Sequence, residues 1–343
     1  MNKTAVLDRE CLGPYLQKNI AGFGALGEVE KFAGGQSNPT FLLSADSGKY
    51  VLRRQPPGEL LKTAHAVDRE YRVINALRDT DVPVPRAIHL CEDKSIIGSM
   101  FYLMSYEHGA IYWDPALPEL DNPSRTAVHH QLVDVLAAIH NVDLEAVGLS
   151  NYGKGKDYFA RQIALWTKQY RAAETDTIDS VEKLIKWLPA SMPPDTDDIT
   201  LLHGDYRLDN VVFASDEPRA IAVLDWELST LGNPIADIAY YCICMRMPGA
   251  GKIRGLAGVD LAALAIPDES QVIARYCDLR GIGEIPHWNF YLAFSFFRLA
   301  SIIQGVYKRA LMGNASNDKS LEMGKNVHFL AHFALQCAGL EST

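Results

Sequence analysis

The chain lacks the cysteine pairings that build a zinc knuckle or a disulfide framework. Its six cysteines, Cys11, Cys91, Cys242, Cys244, Cys277 and Cys337, form no CxxC pair, which argues against both and makes a reducing compartment the default. It also lacks positive charge. Lysine and arginine total 33 against 42 aspartates and glutamates, a formal charge of −9, so it offers no broad basic footprint for nucleic acid. It has no long uninterrupted apolar run. The most apolar stretch, Trp288 to Tyr307, is broken by Asn289, Arg298 and Gln304 and reads as a buried core helix rather than a membrane span. The first residues, MNKTAVLDRECLG, carry no apolar core of signal-peptide length. A GxGxxG phosphate loop, internal repeats and low-complexity tracts are missing as well. The expectation is a cytoplasmic protein with neither a nucleic-acid nor a membrane partner. What is present is ordinary: 343 residues, 48% hydrophobic and 22% charged, enough for about two domains with a sizeable core.

The first hundred residues read as strand-rich. Phe41 to Leu43 and Tyr50 to Leu52 flank Ala45-Asp46-Ser47-Gly48-Lys49, a hairpin signal. A helix follows over 64–77, with Val67, Tyr71, Ile74 and Leu77 at helical spacing. Pro83 and Pro85 end it, and Ile88 to Leu90 and Phe101 to Met104 read as two more strands. Beyond Glu107-His108-Gly109 the pattern turns helical, with amphipathic faces at Val128–Ile139, Phe159–Tyr170 and Ile178–Leu188. A compact β segment, Leu201 to Leu224, interrupts the helices. The pattern predicts an α+β chain of two lobes: residues 1–104, a small lobe with an antiparallel sheet and one helix, and residues 105–343, a larger, mainly helical lobe. Such a layout favours ligand binding in a cleft.

The stretch that carries chemistry is His203-Gly204-Asp205-Tyr206-Arg207-Leu208-Asp209-Asn210, followed by a strand–turn–strand pattern and Asp225-Trp226-Glu227. His-x-Asp with Asn five residues beyond the Asp is the spacing of a kinase catalytic loop. There an acid takes the hydroxyl proton, and oxygen ligands hold the metal that bridges the phosphates. HGDYRLDN with VLDWE resembles the aminoglycoside phosphotransferase, or choline-kinase-like, superfamily of small-molecule kinases. These share the protein-kinase fold, and the likeness runs over nearly the whole chain. Tyr50–Gly58 (YVLRRQPPG), DWELSTLG from Asp225, and FRLA with QGVY from Phe297 to Tyr307 are most similar to the kinase-like domains fused to some acyl-CoA dehydrogenases.

That resemblance implies ATP and Mg²⁺ as the nucleotide and metal, Asp205 as the catalytic base, and Asn210 and Asp225 as metal ligands. It implies a phosphate-binding loop at Phe32–Thr40, with Gly35, Ser37 and Asn38 facing the nucleotide. Arg53 stands where the family's phosphate-holding lysine is expected, keeping the charge but changing reach and geometry. Arg54 alternates to the opposite face of the strand and is expected in solvent. Glu70 is the helix carboxylate that orients Arg53. Leu103–Tyr106, with Ser105, corresponds to the hinge that offers main-chain hydrogen bonds to the purine; its side chains do not distinguish adenine from guanine, so GTP stays open. His203 is expected behind the loop and Asp237 as its buried brace. Arg207 is expected either at the transferred phosphate or on a structural acid. Glu227 reads as a salt-bridge partner, with a metal as the alternative.

The acceptor is less legible. Arg298, inside the aromatic stretch Phe290–Phe297, needs a partner, either an internal carboxylate or an anionic substrate group. Gly305–Gly313 carries Lys308 and Arg309 and no acid, unlike a pocket for a polycationic aminoglycoside. The likeness to the acyl-CoA-dehydrogenase-linked domains implies instead a hydroxy acid or hydroxyacyl-CoA. An aminoglycoside kinase, a non-catalytic nucleotide-binding module, and a metal hydrolase in which His203 faces a metal remain alternatives.

Overall fold

Two periodicities divide the chain, and the computed structural model follows them. It describes residues 7–32, 38–56, 65–249, 254–312 and 324–340. In chain order these form α1 (Arg9–Asn19), β1 (Leu26–Lys31), β2 (Thr40–Ala45), β3 (Gly48–Arg54), α2 (Val67–Leu77), β4 (Ala87–Cys91) and β5 (Phe101–Ser105). Next come α3 (Asn122–His140), α4 (Tyr158–Ala173), α5 (Asp179–Ala190), β6 (Thr200–Leu202), β7 (Val211–Phe213) and β8 (Ala220–Val223). The chain closes with β9 (Thr230–Gly232), α6 (Ile235–Arg246), α7 (Glu269–Arg280), α8 (Trp288–Leu311) and α9 (Gly324–Ala338). Two compact units result. The first comprises Met1–Ile111, Glu145–Leu149 and Asp209–Ser229; the second comprises Tyr112–Leu144, Ser150–Leu208 and Thr230–Thr343.

The first unit is built on an antiparallel sheet of order β1-β2-β3-β5-β4. Alternation in β2 turns Phe41 and Leu43 inward, where they join Leu12 and Leu16 of α1, Phe101 and Leu103. β3 is central, and its last four residues, Val51, Leu52, Arg53 and Arg54, are all buried. Arg54 is therefore not in solvent as its alternation suggested. It is 6% exposed, with Nε donating to Ser99 Oγ at 2.9 Å, because this end of the strand is covered on both faces. Burial lowers its pKa. The stripe that α2 buries is Val67, Glu70, Val73, Ile74 and Leu77; Tyr71, expected on it, lies at its edge, and a glutamate takes an inward position instead. The β7–β8 hairpin, paired Val211↔Val223, belongs to this unit. Its close approach to the chain at Ala110 demands glycine at 109, where a Cβ would lie 2.2 Å from the Phe213 carbonyl oxygen.

The second unit is helical, with two short strands, β6 and β9, paired antiparallel. Its centre is α8, which packs against α4, α6 and α9. Phe290, Phe294, Phe296 and Phe297 are buried along it. Phe294 meets Phe159 edge-on at 5.1 Å, and Phe296 stacks on Phe333 at 5.5 Å. The helix is long and apolar enough to cross a membrane by length and composition, but 72% of its most apolar window is buried inside the protein. All six thiols are free.

One core group makes this unit sensitive to acid. His129 on α3 is buried, with Nε2 3.0 Å from the Pro115 carbonyl oxygen. Burial pushes its pKa down to about 4. The unfolded chain therefore binds a proton from about pH 6.5 downward that the folded chain refuses until about 4. The contribution is full above pH 6.5 and is lost as the pH falls to 4, about 3 kcal/mol in all. In His129→Gln, denaturation midpoints followed from pH 7 to 4 should fall less steeply than in the wild type. An unchanged slope would show that His129 is not the titrating group.

Candidate active site

In the first unit one guanidinium organises the polar residues. Arg53 is 8% exposed. Its Nε lies 2.8 Å from Glu70 Oε2, as an ion pair rather than an aligned hydrogen bond. Its Nη2 lies 2.5 Å from Asp225 Oδ1 and 3.6 Å from Glu227 Oε2. Glu70 is fully buried on the inward stripe of α2 and also accepts from Tyr102 Oη at 3.1 Å and Asn38 Nδ2 at 2.9 Å. Asn38 Nδ2 lies 3.3 Å from Glu227 Oε2, and Asn38 Oδ1 lies 3.1 Å from His65 Nδ1. Burial pushes the Glu70 carboxyl up to about 7, aided by the charges of Asp225 and Glu227 and opposed by Arg53. For Arg53, burial pulls the other way but is outweighed by Glu70 and Asp225, so the guanidinium holds its proton more tightly than usual.

The β7–β8 hairpin brings the two expected metal ligands side by side. Leu224 N–H donates to the Asn210 carbonyl at 2.8 Å, so the next residue, Asp225, stands beside Asn210. Asp225 adopts a left-handed conformation, φ 65° and ψ 58°, a costly one for a non-glycine residue. Trp226, fully buried with Nε1 donating to the Val223 carbonyl at 3.0 Å, pins the turn behind it. The Asp225 side chain stays 34% exposed. Three carboxylates thus face one guanidinium; Asp225 and Asn210 are hard-oxygen donors of the type Mg²⁺ takes, while among the described residues no group of three His, Cys, Asp or Glu side chains is placed to hold a metal ion. Ser105 is otherwise occupied: its N–H donates to the Arg86 carbonyl at 3.0 Å, and Oγ accepts from Arg86 N–H and bonds Glu107. Gly35 and Ser37 lie outside the described residues.

In the second unit the loop from His203 to Arg207 is held from behind. Asp237, fully buried on α6, accepts from His203 N–H at 2.6 Å and Gly204 N–H at 3.1 Å. Its Oδ2 lies 3.5 Å from His140 Nε2. Burial raises its carboxyl, but His140 and the His203 N–H outweigh this and keep it below the usual range. His203 is fully buried and its Nδ1 accepts the Asp205 N–H at 3.2 Å. That is the posture of a ring packed behind the loop. Tyr206 Oη donates to the Leu132 carbonyl at 2.7 Å. Arg207, the next loop residue, is exposed and lies near enough to Tyr240 for its charge to act on that phenol.

Two side chains escaped the reading of the sequence. Tyr102 donates to Glu70, and Tyr240 bonds the Asp205 side chain. Tyr240 follows Asp237 by three residues on α6 and so shares its face, the signal by which it could have been found. Among the described residues Arg298 takes no internal carboxylate. Its Nη2 donates to the Gly204 carbonyl, and its guanidinium lies over the rings of Tyr240 and Trp166.

The chain has relatives of known fold and family. A family model described as the phosphotransferase enzyme family matches residues 28–269. Mouse acyl-CoA dehydrogenase family member 10 is 46% identical over 344 residues, which is 99% of this chain and 32% of that protein. This chain thus spans about a third of that relative's length. A solved protein of Ralstonia eutropha JMP134, reported under the aminoglycoside phosphotransferase name, is 44% identical, with a TM-score of 0.88 over 98% of this chain and 100% of that one. The aminoglycoside phosphotransferase APH(4)-Ia, solved in a ternary complex with AMP-PNP and hygromycin B, matches in fold alone, at 18% identity and a TM-score of 0.62 over 95% of this chain and 98% of that one. The chain has the kinase-like fold of these proteins and belongs to the phosphotransferase enzyme family.

Proposed function

We propose that the chain is an ATP- and Mg²⁺-dependent kinase that transfers the γ-phosphoryl group to a hydroxyl of a small molecule, a hydroxy acid or its acyl-CoA thioester. The observation that carries this reading is Arg53, gripped by Glu70 on one side and reaching Asp225 on the other. A cation fixed by a helix carboxylate beside a metal-binding aspartate is the phosphate-holding device of this chemistry. Asp225 and Asn210 would hold Mg²⁺, which when bound neutralises charge on the β- and γ-phosphate oxygens. Arg53 binds phosphate oxygens, and Glu70, Tyr102 and Asn38 fix its direction. Asp205 accepts the proton of the acceptor hydroxyl as that oxygen bonds the γ-phosphorus and the bond to the β-phosphate oxygen breaks, releasing ADP. Nucleotide use is supported by the AMP-PNP bound to APH(4)-Ia. An acyl acceptor is supported by the acyl-CoA dehydrogenase names of the relatives. An aminoglycoside acceptor is the second reading, supported by the aminoglycoside phosphotransferase name of the Ralstonia protein and by the hygromycin B bound beside AMP-PNP in APH(4)-Ia.

The test is a thermal-shift titration with ATP, with and without Mg²⁺, followed by a screen of hydroxy acids and hydroxyacyl-CoAs scored by product mass. The wild type should gain about 2.7 kcal/mol at a hundredfold excess of MgATP over its dissociation constant. Asp225→Ala should lose most of that gain and become insensitive to Mg²⁺. Absence of any Mg²⁺-dependent shift would refute the reading. Tight binding with no transfer to any acceptor would favour a nucleotide-binding module.

A further inference from the structure

Gly204, the residue before the proposed base, is held at both of its backbone polar groups. Its N–H meets the Asp237 carboxylate, and its carbonyl accepts from Arg298 Nη2. At φ 85° it occupies a region that glycine tolerates without strain, so local preference does not fix this peptide and tertiary contacts must. Arg298 is unusual for a buried cation. It is 4% exposed on the apolar helix α8. Its contacts are a carbonyl and two aromatic faces, the guanidinium carbon lying 5.1 Å from the Tyr240 ring centroid and 5.6 Å from that of Trp166. Among the described residues its Nε has no hydrogen-bond partner. Burying a charge this way costs several kcal/mol, and a leucine or methionine would fill the space without that cost. The Tyr240 ring beneath the guanidinium carries a hydroxyl bonded to the Asp205 side chain. The guanidinium thus acts on the loop by two routes: directly on the Gly204 carbonyl, and through the tyrosine it covers on the carboxylate of Asp205.

We propose that Arg298 is a positioning residue for phosphoryl transfer, holding the Gly204–Asp205 peptide by its carbonyl and the Asp205 carboxylate through Tyr240. Asp237 fixes the N–H side of the loop and Arg298 the carbonyl side, so the acid stays aimed between two opposed charged anchors. The proposal rests on the kinase reading above.

The experiment measures Mg²⁺-dependent ATP hydrolysis, with water as acceptor, together with MgATP affinity and melting temperature. It compares the wild type with Arg298→Met, Arg298→Lys, Tyr240→Phe and Asp205→Asn. Displacing a reacting group by about 1 Å can cost on the order of 10²-fold. Arg298→Met should therefore lose roughly 10- to 100-fold in kcat while MgATP affinity stays within about twofold. Arg298→Lys, which keeps a cation and a donor, should recover to within about fivefold of the wild type. Should Arg298→Met fail to fold, Tyr240→Phe carries the test, since it keeps the ring and deletes only the bond to Asp205; it should lose roughly fivefold or more in kcat at unchanged affinity. Wild-type kcat in Arg298→Met or Tyr240→Phe, with Asp205→Asn inactive, would overturn the positioning role alone. So would a loss of MgATP affinity in step with kcat, or a lysine variant no better than the methionine one. Wild-type turnover in Asp205→Asn would overturn the kinase reading and this one with it.

Discussion

Asp205→Asn should lower turnover by about 10²- to 10⁴-fold, the range a general base supplies, while leaving the melting temperature and MgATP affinity close to the wild type. The reasons are local. Asparagine has the size and shape of aspartate. The Asp205 N–H still donates to His203 Nδ1, and Gly204 stays clamped by Asp237 and Arg298. The amide oxygen can still accept from Tyr240. What is lost is the ability to take a proton and the negative charge that draws the acceptor hydroxyl into line. Single-turnover assays on an acceptor found by the mass screen would place the loss on the chemical step. A variant that turned over like the wild type would remove Asp205 from the base role, and a matching loss of MgATP affinity would make it a nucleotide ligand instead.

The chain's main chemical features were legible because they depend on spacing along the sequence. The hairpin at Asp46-Ser47, the strand that ends in Arg53, and the His203–Asn210 loop with Asp225 beyond a β pair all stand where residue order put them. Much of the site was not local. Arg54 was assigned to solvent because strand residues alternate, but alternation separates inside from outside only where one face is open, and the end of β3 is covered on both. On α2 the apolar pattern promoted Tyr71, and Glu70 was legible only through the family resemblance. A glutamate on a buried stripe reads as a break in the pattern until the sheet beneath supplies Arg53 and Tyr102. Arg298 shows the same limit. Its charge demanded a partner, but backbone carbonyls and ring faces leave no sequence signature, and only packing revealed that Gly204 and Tyr240 satisfy it. Charges paired through tertiary structure are therefore the features a one-dimensional reading loses first.

The Arg53–Glu70 pair should show the largest stability effect in the first unit, and it separates what the pair does for folding from what it does for chemistry. Arg53→Met leaves Glu70, fully buried, without its ion-pair partner, and breaking a buried pair from one side costs about 3–5 kcal/mol. The penalty should depend on pH with a definite sign. The Glu70 carboxyl already sits up at about 7 in the folded chain because of burial, against 4.5 as its ordinary value. A raised carboxyl contributes stability that is full below pH 4.5 and is lost as the pH climbs through its folded value. Arg53 is what holds it down, so its removal enlarges the loss. Denaturation of Arg53→Met at pH 5 and pH 8 should therefore show the larger deficit at pH 8. Adding Glu70→Gln removes the stranded charge and keeps an oxygen for Tyr102 and Asn38 to donate to. The double variant should regain about 2–3 kcal/mol relative to Arg53→Met, and its deficit should no longer grow with pH. Its phosphoryl transfer should stay as low as that of Arg53→Met, because no cation remains to hold the phosphate oxygens. Additive stabilities in the four-protein cycle would mean that Glu70 is satisfied by Tyr102 and Asn38 alone. Recovery of activity in the double variant would show that Arg53 serves the fold and not the nucleotide.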